Sequence, residues 1–277
     1  GCRAFHQADW ILGRLSGHFG LSDENNCLKL GYDAQARRWP DWLDRLALPP
    51  GCLPEVRIPG QPAGVLTPEA ARLTGLPAGL ELRAGTTDST AGFIASGAAL
   101  PGTAVTALGS TLVVKVLSPQ PVCSSAHGVY SHRLGDLWLV GGASNSGGAV
   151  CARYFTPERM EELSRLITLK GPVVVRDFAE MPDRFVPRGR LKALVYDADA
   201  GRITAQGSAP LTLDQDAGGK AEQAPADWLD ALAAALEKIP DAARRSVEAL
   251  AVSGQQHGLV ALGSDGIPLR PAKLWCD

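Results

Sequence analysis

A single carboxylate among small hydroxyl residues and glycines is the first group in this sequence that could do chemistry. Asp88 lies within Ala84-Gly-Thr-Thr-Asp-Ser-Thr-Ala-Gly92, with no Lys or Arg within four positions. A second stretch, Thr106-Ala-Leu-Gly-Ser-Thr111, predicts a Gly-Ser-Thr turn that is entered from one β-strand and left by another over Leu112–Leu117. Consecutive N–H groups in such a turn bind anions, and a nearby carboxylate can take a hydroxyl proton. This combination suits phosphoryl transfer, although two ordinary glycine-rich turns with a capping Asp remain the alternative.

The composition describes a globular chain that can bury a good core. The chain has 277 residues, of which 45% are hydrophobic and 20% charged, and its net charge is −2, which argues against nucleic acid as the main partner. Its six cysteines form no CxxC motif and no Cys/His cluster, which favours reduced thiols and a cytoplasmic location, and no metal site is predicted. No apolar run approaches the ~18 residues that a membrane span needs.

Capping residues and apolar periodicity predict the elements that must position these groups. One helix is predicted over 6–16 and ends at Gly17, and another is predicted over 67–74 between a Thr67 cap and Gly75. Three more helices are predicted from Thr156, over 225 to about 238, and over 242–250. Hairpins are predicted with turns at Gly135-Asp136, Asp199-Ala-Gly201 and Ser264-Asp-Gly266. Ser22–Asn26 is predicted to be a polar loop, and residues 49–66, rich in Pro and Gly, an ordered surface connection.

The stretches Ala84–Gly92, Leu108–Lys115 and Ser131–Gly148 resemble the FGGY family of carbohydrate kinases. The resemblance implies that Asp88 is the catalytic base on a sugar hydroxyl and that Ser89 contacts the sugar. It also implies that Gly109, Ser110 and Thr111 contact the phosphates of ATP, with Mg²⁺ neutralising the phosphate charge.

Two further stretches bear on the substrate and the nucleotide. His6–Trp10 and Ser22–Asn26 are similar to the branch that acts on D-ribulose or D-xylulose, where this loop belongs to the wall of the sugar domain without a catalytic residue. Gly141–Gly148 precedes a predicted helix, which suits either nucleotide contact or tight packing of a helix on a sheet.

The last segment, from Leu191, is similar to the N-terminal part of the xylulokinases. Ser253-Gly-Gln-Gln-His-Gly258 and Leu269–Asp277 carry this similarity, which implies that Gln256 and His257 contact the ketose. For His257 the alternative is a polar residue that ends a strand near a turn. The order of segments departs from the family, and Val186–Leu191 stands where the family has an Asp-x-Gly-Thr phosphate loop. The adenosine-contacting glycine motif of the family is also missing.

These observations predict an α/β fold of the ribonuclease-H-like, actin/hexokinase-type ATPase class, with permuted and incomplete segment order. The expected domains are a sugar-binding domain from 191–277 and 1–97, the first part of an ATP-binding domain over 98–170, and a join at 171–190. The expected function is ATP-dependent phosphorylation of a pentulose, D-xylulose or D-ribulose. A sugar-binding homologue without kinase activity and an inactive fragment stay as alternatives. The expected partners are a small-molecule sugar and a nucleotide, with no nucleic acid and no membrane, and a homodimer stays open.

Overall fold

The structure is a computed structural model that describes residues 3–108, 112–144, 154–165, 190–215, 221–255, 258–263 and 265–274. The chain divides into two compact units. The first unit combines residues 1–91 with residues 186–277, and the second comprises residues 92–185. The first unit is therefore built from two segments that are distant in sequence.

The described chain mixes helices and strands, as in an α/β protein. The strands are β1 Arg3–Phe5, β2 Leu21–Asp23, β3 Glu55–Arg57, β4 Pro62–Val65, β5 Glu81–Thr87, β6 Ala104–Leu108, β7 Leu112–Ser118, β8 Tyr130–Leu134, β9 Leu137–Ser144, β10 Arg190–Asp197, β11 Arg202–Pro210, β12 Asp214–Gln215, β13 Ala221–Gln223, β14 Ala249–Gly254, β15 Val260–Leu262 and β16 Ala272–Lys273. The α-helices are α1 Gln7–Ser16, α2 Glu24–Cys27, α3 Pro68–Thr74, α4 Asp88–Ile94, α5 Pro157–Arg165, α6 Pro225–Glu237 and α7 Asp241–Arg245. Short 3₁₀ helices span Leu28–Leu30, Asp41–Leu46 and Ser125–His127.

Strand pairing joins the two segments of the first unit at two places. The central strand β5 pairs in parallel with β14 and in antiparallel with β4. The first strand, β1, pairs in antiparallel with β15. Elsewhere in this unit β10 and β11 form a hairpin, β13 lies between β12 and β16, and β2 pairs in parallel with β3.

One hydrophobic core lies under these sheets, and both segments supply it. Phe5, Leu15 and Leu82 come from the first segment, and Trp228 and Leu262 come from the last; all are at most 1% exposed. The rings of Trp10 and Trp228 meet edge to face with their centroids 5.8 Å apart. Burial of apolar side chains is the main favourable term in folding. Because both segments contribute side chains to one core, they stabilise each other.

Helix α6 shows how closely the layers pack in the first unit. Pro225 stands at its start, where the missing N–H costs nothing, and its buried face includes Trp228, Leu232 and Ala235. A Cβ atom placed on Gly207 in β11 would lie 1.9 Å from the Ala235 carbonyl oxygen. Glycine at this position therefore allows the helix backbone to lie directly on the strand.

The second unit contains an antiparallel sheet in the order β6-β7-β9-β8. Gly135 turns the β8–β9 hairpin with φ +61°, a conformation that suits glycine. Phe93, Leu117 and Leu139 are at most 2% exposed and form the small core of this unit. Among the residues that the structure describes, no helix is long and apolar enough to cross a membrane.

Most locally encoded elements are confirmed. Helix α1 ends at Gly17 in the left-handed conformation, and the Thr67 side chain accepts a hydrogen bond from the Ala70 amide at the start of α3. The hairpins turned at Gly135-Asp136 and Asp199–Gly201, and the helix from Pro225, form as predicted.

Three predicted elements are wrong in extent or environment. The helix expected over 242–250 ends at Arg245, because residues from Ala249 pair with β5 as strand β14. The connection over 49–66 contains β3 and β4, since both find neighbouring strands. Ser22–Asn26 is not a loop but lies in β2 and α2 and is buried, where Asp23, Asn25 and Asn26 bond within the protein.

Candidate functional site

The ends of two parallel strands place Asp88 at one edge of the central sheet. Thr87, the last residue of β5, pairs with Gly254, the last residue of β14. The carboxyl ends of neighbouring parallel strands lie at the same edge of a sheet, where α/β proteins commonly bind ligands. Asp88 follows Thr87 directly and begins α4. This edge of the sheet therefore carries Thr87, which directly precedes Asp88, and Gly254, which shortly precedes the predicted sugar contacts at 256 and 257.

Gly85 permits the close approach of these two strands. A Cβ atom on Gly85 would lie 1.8 Å from the Val252 carbonyl oxygen, closer than any real contact of that kind. The register between β5 and β14 shifts between Ala251 and Ser253, as in a β-bulge. Bulges of this kind redirect side chains near functional sites, and here one precedes the strand ends.

The carboxylate of Asp88 is exposed on a turn that buried hydroxyl groups hold in place. Its Oδ1 accepts a hydrogen bond from the Ser89 backbone N–H at 2.6 Å. Behind it, the Thr87 hydroxyl donates to Thr90 Oγ1 at 2.9 Å and accepts from the Thr90 backbone N–H at 3.3 Å. Both threonines are 0% exposed. The geometry leaves the Asp88 carboxylate accessible to a ligand on a firmly anchored turn.

A buried polar segment, Ser22–Asn26, lies beside this edge. Asp23 caps α2, since its Oδ1 accepts from the backbone N–H groups of Asn25 at 2.9 Å and Asn26 at 3.0 Å. Its Oδ2 accepts from Asn26 Nδ2 at 2.6 Å. The Asn25 side chain donates in turn to Thr86 Oγ1 at 2.9 Å, so the segment bonds directly to the end of β5.

Burial changes the acid–base behaviour of Asp23. Burial and, to a lesser extent, the charge of Asp9 raise the pKa of its carboxyl to about 7, against hydrogen bonds from Asn26 and Asn25 that lower it. A cavity of about 10 Å³ is lined partly by Asp9, Asp23 and Gly85. That volume is of the order of a single water molecule.

The first turn of α1 also lies against the end of β14. A Cβ atom on Gly254 would lie 3.2 Å from Gln7 Oε1 and 3.4 Å from the Ala8 amide nitrogen. Asp9 accepts a hydrogen bond from the His6 backbone N–H at 2.8 Å, which holds the start of this helix. The helix start and the strand end therefore lie in direct contact, next to the segment predicted to touch the sugar.

Of the predicted site residues, Asp88 and Ser89 lie within the described part of the chain, and both are exposed. Gln256, His257, Gly109, Ser110 and Thr111 lie outside the described residues, as does the second half of Gly141–Gly148, whereas its first half belongs to strand β9. The strands on either side of 109–111 are described: Leu108 of β6 pairs with Leu112 of β7. Both strands had been predicted from the sequence, and both are confirmed.

Sequence reasoning missed Asn25 and Thr86 as neighbours of the Asp88 turn. A run of five polar residues between the apolar Leu21 and Cys27 was the available signal, because such a run rarely lies in a buried position without specific partners. Within the described residues, no group of three or more His, Cys, Asp or Glu side chains could hold a metal ion.

Comparison with known proteins matches the last third of the chain to the FGGY family of carbohydrate kinases. The family's N-terminal domain matches residues 189–277. A xylulose kinase from Streptomyces coelicolor is 49% identical over 86 residues, which are 31% of this chain and 17% of that protein. The chain thus spans about a sixth of the length of that curated relative.

Two further comparisons support the family and the fold. A xylulose kinase sequence from an Arthrobacter species is 36% identical over 88 residues, which are 31% of this chain and 81% of that sequence. The crystal structure of a ligand-bound xylulose kinase from Lactobacillus acidophilus aligns with a TM-score of 0.51 at 19% identity, covering 58% of this chain and 35% of that chain. This likeness shows the predicted actin/hexokinase-like ATPase fold. The chain belongs to the FGGY family of carbohydrate kinases.

Proposed function

We propose that this chain phosphorylates a pentulose, D-xylulose or D-ribulose, at the expense of ATP, with Asp88 as the general base. The observation that carries the proposal is the position of Asp88, an exposed carboxylate at the adjoining ends of parallel strands β5 and β14. The match to the N-terminal domain of the FGGY carbohydrate kinases covers residues 189–277, which include β14 and the two residues after Gln255. The sugar class is thus supported by the segment whose strand β14 ends beside the strand that leads to Asp88.

Phosphoryl transfer to a sugar requires that the protein position the two substrates and supply one proton acceptor. A sugar hydroxyl bound within about 3.2 Å of the Asp88 carboxylate gives up its proton as its oxygen attacks the terminal phosphorus of ATP. The bond from that phosphorus to the bridging oxygen breaks, and ADP leaves with the electron pair. Ser89, Gln256 and His257 hold the sugar in this proposal, and Gly109, Ser110 and Thr111 receive the phosphate by their N–H groups. Mg²⁺ would neutralise charge on the phosphates.

The domain roles follow the same proposal. Residues 191–277 and 1–97 form the sugar-binding domain, 98–170 begin the ATP-binding domain, and 171–190 join the two. The shared core of residues 1–91 and 186–277 supports the first of these assignments, because the two segments fold as one unit.

Nucleotide affinity is expected to be the weak part of this chain. The sequence has Val186–Leu191 where the family's phosphate loop stands, so ATP contacts rest on fewer groups. Each missing charge-assisted contact is worth roughly 1.5–3 kcal/mol, and two or three would weaken ATP binding by several powers of ten. The chain is therefore expected to bind a ketose more tightly than Mg·ATP.

A coupled ADP-release assay with D-xylulose and D-ribulose, run beside calorimetric titration of each sugar and of Mg·ATP, tests the proposal. Ketose-dependent ADP release is the expected result. Ketose binding without ADP release would instead support a sugar-binding homologue without kinase activity. If the chain neither binds a ketose nor releases ADP, it is a fragment without activity of its own.

A further inference from the structure

One hydrogen bond connects the buried polar segment Ser22–Asn26 to the strand that carries Asp88. The Asn25 amide donates to Thr86 Oγ1 at 2.9 Å, across 61 residues of sequence. Asn25 is 1% exposed and Thr86 is 8% exposed, so water has little access to either group. A direct bond between two buried polar side chains fixes their separation closely, since neither partner has bulk water as an easy substitute.

The Asn25 end of this bond is held by its own set of contacts. Asp23 Oδ1 accepts from the Asn25 and Asn26 amides, and Asp23 Oδ2 accepts from Asn26 Nδ2. The helix that begins here has only four residues, Glu24–Cys27, and its first carboxylate forms an ion pair in which Arg37 Nε lies 3.2 Å from Glu24 Oε2. These contacts fix the backbone on which the Asn25 side chain is mounted.

The Thr86 end leads directly to the proposed base. Thr86 stands two residues before Asp88, and Thr87 anchors the first turn of α4 through Thr90. A shift of Thr86 along or across the sheet therefore displaces the carboxylate that follows it. Misplacement of a catalytic group by about 1 Å can cost on the order of 10²-fold in rate.

We propose that Asn25 is a positioning residue, which through Thr86 fixes the start of α4 and so the Asp88 carboxylate at the sheet edge. The catalytic meaning of this role rests on the proposed function of Asp88. The structural part, that the Asn25–Thr86 bond orders the start of α4, stands on the distances above.

Two variants in the full chain remove the bond from either side, and two more serve as controls. Thr86→Val deletes the hydroxyl with little change of shape, and Asn25→Ala deletes the donor. Thr86→Ser keeps the hydroxyl and should restore the wild-type behaviour. Thr74→Val is the matched control, because Thr74 is also buried in the first unit but donates to the Ala70 carbonyl of its own helix, at 2.7 Å.

Deuterium exchange of peptides covering 86–94 and ketose-dependent turnover are measured on all five proteins. We expect Thr86→Val and Asn25→Ala to speed exchange at the start of α4 about tenfold. We also expect them to lower kcat by about 10–10²-fold, with KM for the ketose within about twofold. Thr86→Ser and Thr74→Val should match the wild type in both respects.

Each outcome decides a separate point. Exchange in Thr86→Val that equals exchange in Thr74→Val overturns the positioning role, whatever the turnover. A rise in KM with kcat unchanged also overturns it, since that result would mean a sugar contact instead. Faster exchange in a chain whose wild type phosphorylates neither ketose would uphold the structural link and reject the proposed function of Asp88. Because Thr86→Val preserves shape, the test does not depend on Asn25→Ala folding.

Discussion

Asp23 and Asp88 occupy the same kind of position in the chain and end in opposite environments. Each lies where a β-strand passes directly into a helix, Asp23 as the last residue of β2 and Asp88 as the first residue of α4, and each has polar neighbours in sequence. Asp23 is 3% exposed and gives both carboxylate oxygens to the cap of α2. Asp88 is exposed at the ends of β5 and β14. The surroundings rather than the residue type thus distinguish a structural carboxylate from a candidate base.

The difference in burial between Asp23 and Asp88 also affects their acid–base behaviour. For Asp23, burial and the charge of Asp9 raise the pKa to about 7, so the folded protein holds this proton where an unfolded chain would release it. Ionisation of Asp23 therefore costs stability. The exposed carboxylate, in contrast, is placed where a substrate can reach it. Four substitutions test this division, from the largest expected effect to the smallest.

The largest effect is expected from Asp88→Asn. If Asp88 accepts the hydroxyl proton, this change should lower ketose-dependent turnover by about 10²–10⁴-fold and leave the fold intact. ADP release and circular dichroism measure the two effects. Asp23→Asn is the matched comparison and should keep turnover within about threefold, because Asn also caps helices well. Near-normal turnover in Asp88→Asn would remove the proposed mechanism.

Asp23→Asn should instead change how stability depends on pH. The pKa of about 7 in the folded state lies above the ordinary 3.8, so this carboxyl favours the fold below pH ~4, and that contribution is lost as the pH rises to about 7 and beyond. The amide cannot ionise. The variant should therefore gain on the wild type between pH 5 and 8, by an amount on the order of 2–4 kcal/mol.

Urea unfolding at several pH values measures this difference. Asp33→Asn is the matched control, since Asp33 Oδ1 also accepts from two backbone N–H groups, those of Gln35 and Ala36, but the residue is exposed. Equal pH dependence in the two variants would contradict the role given to burial.

Gly85→Ala should disturb both environments, because Gly85 lines the cavity beside Asp23 and leads to Asp88. The new methyl group would meet the Val252 carbonyl oxygen at 1.8 Å, and backbone cannot move aside cheaply. We expect a loss of about 3 kcal/mol in the free energy of unfolding. Gly92→Ala is the matched control, at a glycine with open space around it and without a positive φ. A stability loss for Gly85→Ala no larger than that of Gly92→Ala would mean that β5 and β14 do not approach each other closely at Gly85.

Ser89→Ala should have the smallest effect and act on binding rather than stability. Ser89 is exposed, so its loss should leave the free energy of unfolding within about 0.5 kcal/mol. If its hydroxyl bonds the sugar, KM for the ketose should rise about fivefold, as expected for one hydrogen bond. Steady-state kinetics measure this change, and an unchanged KM would take Ser89 out of the sugar site.

The parts of this structure that could be predicted from the sequence are those that nearby residues determine. The Thr67 cap, the Gly17 and Gly75 helix ends and the Gly135 turn each depend on a few adjacent residues, and all are confirmed. The helix predicted over 242–250 failed because pairing of β14 with β5 outweighs local helix preference. Pairing over such a separation in sequence leaves no local signal.

The candidate site divides in the same way. Asp88 is a candidate because of a motif that its neighbours in sequence complete, and its catalytic role stays a prediction. The burial of Ser22–Asn26 was missed, because five successive polar residues normally indicate solvent. Their burial depends on a bond from Asn25 to Thr86 that only the folded chain brings together.

A crystal structure of the chain with D-xylulose bound would test most directly the claim that Asp88 is the base of a ketose site. If Asp88 is the base, one sugar hydroxyl oxygen should lie within about 3.2 Å of its carboxylate, at the edge where β5 and β14 end. A sugar bound elsewhere, or bound at this edge with every hydroxyl beyond about 5 Å from that carboxylate, would contradict it.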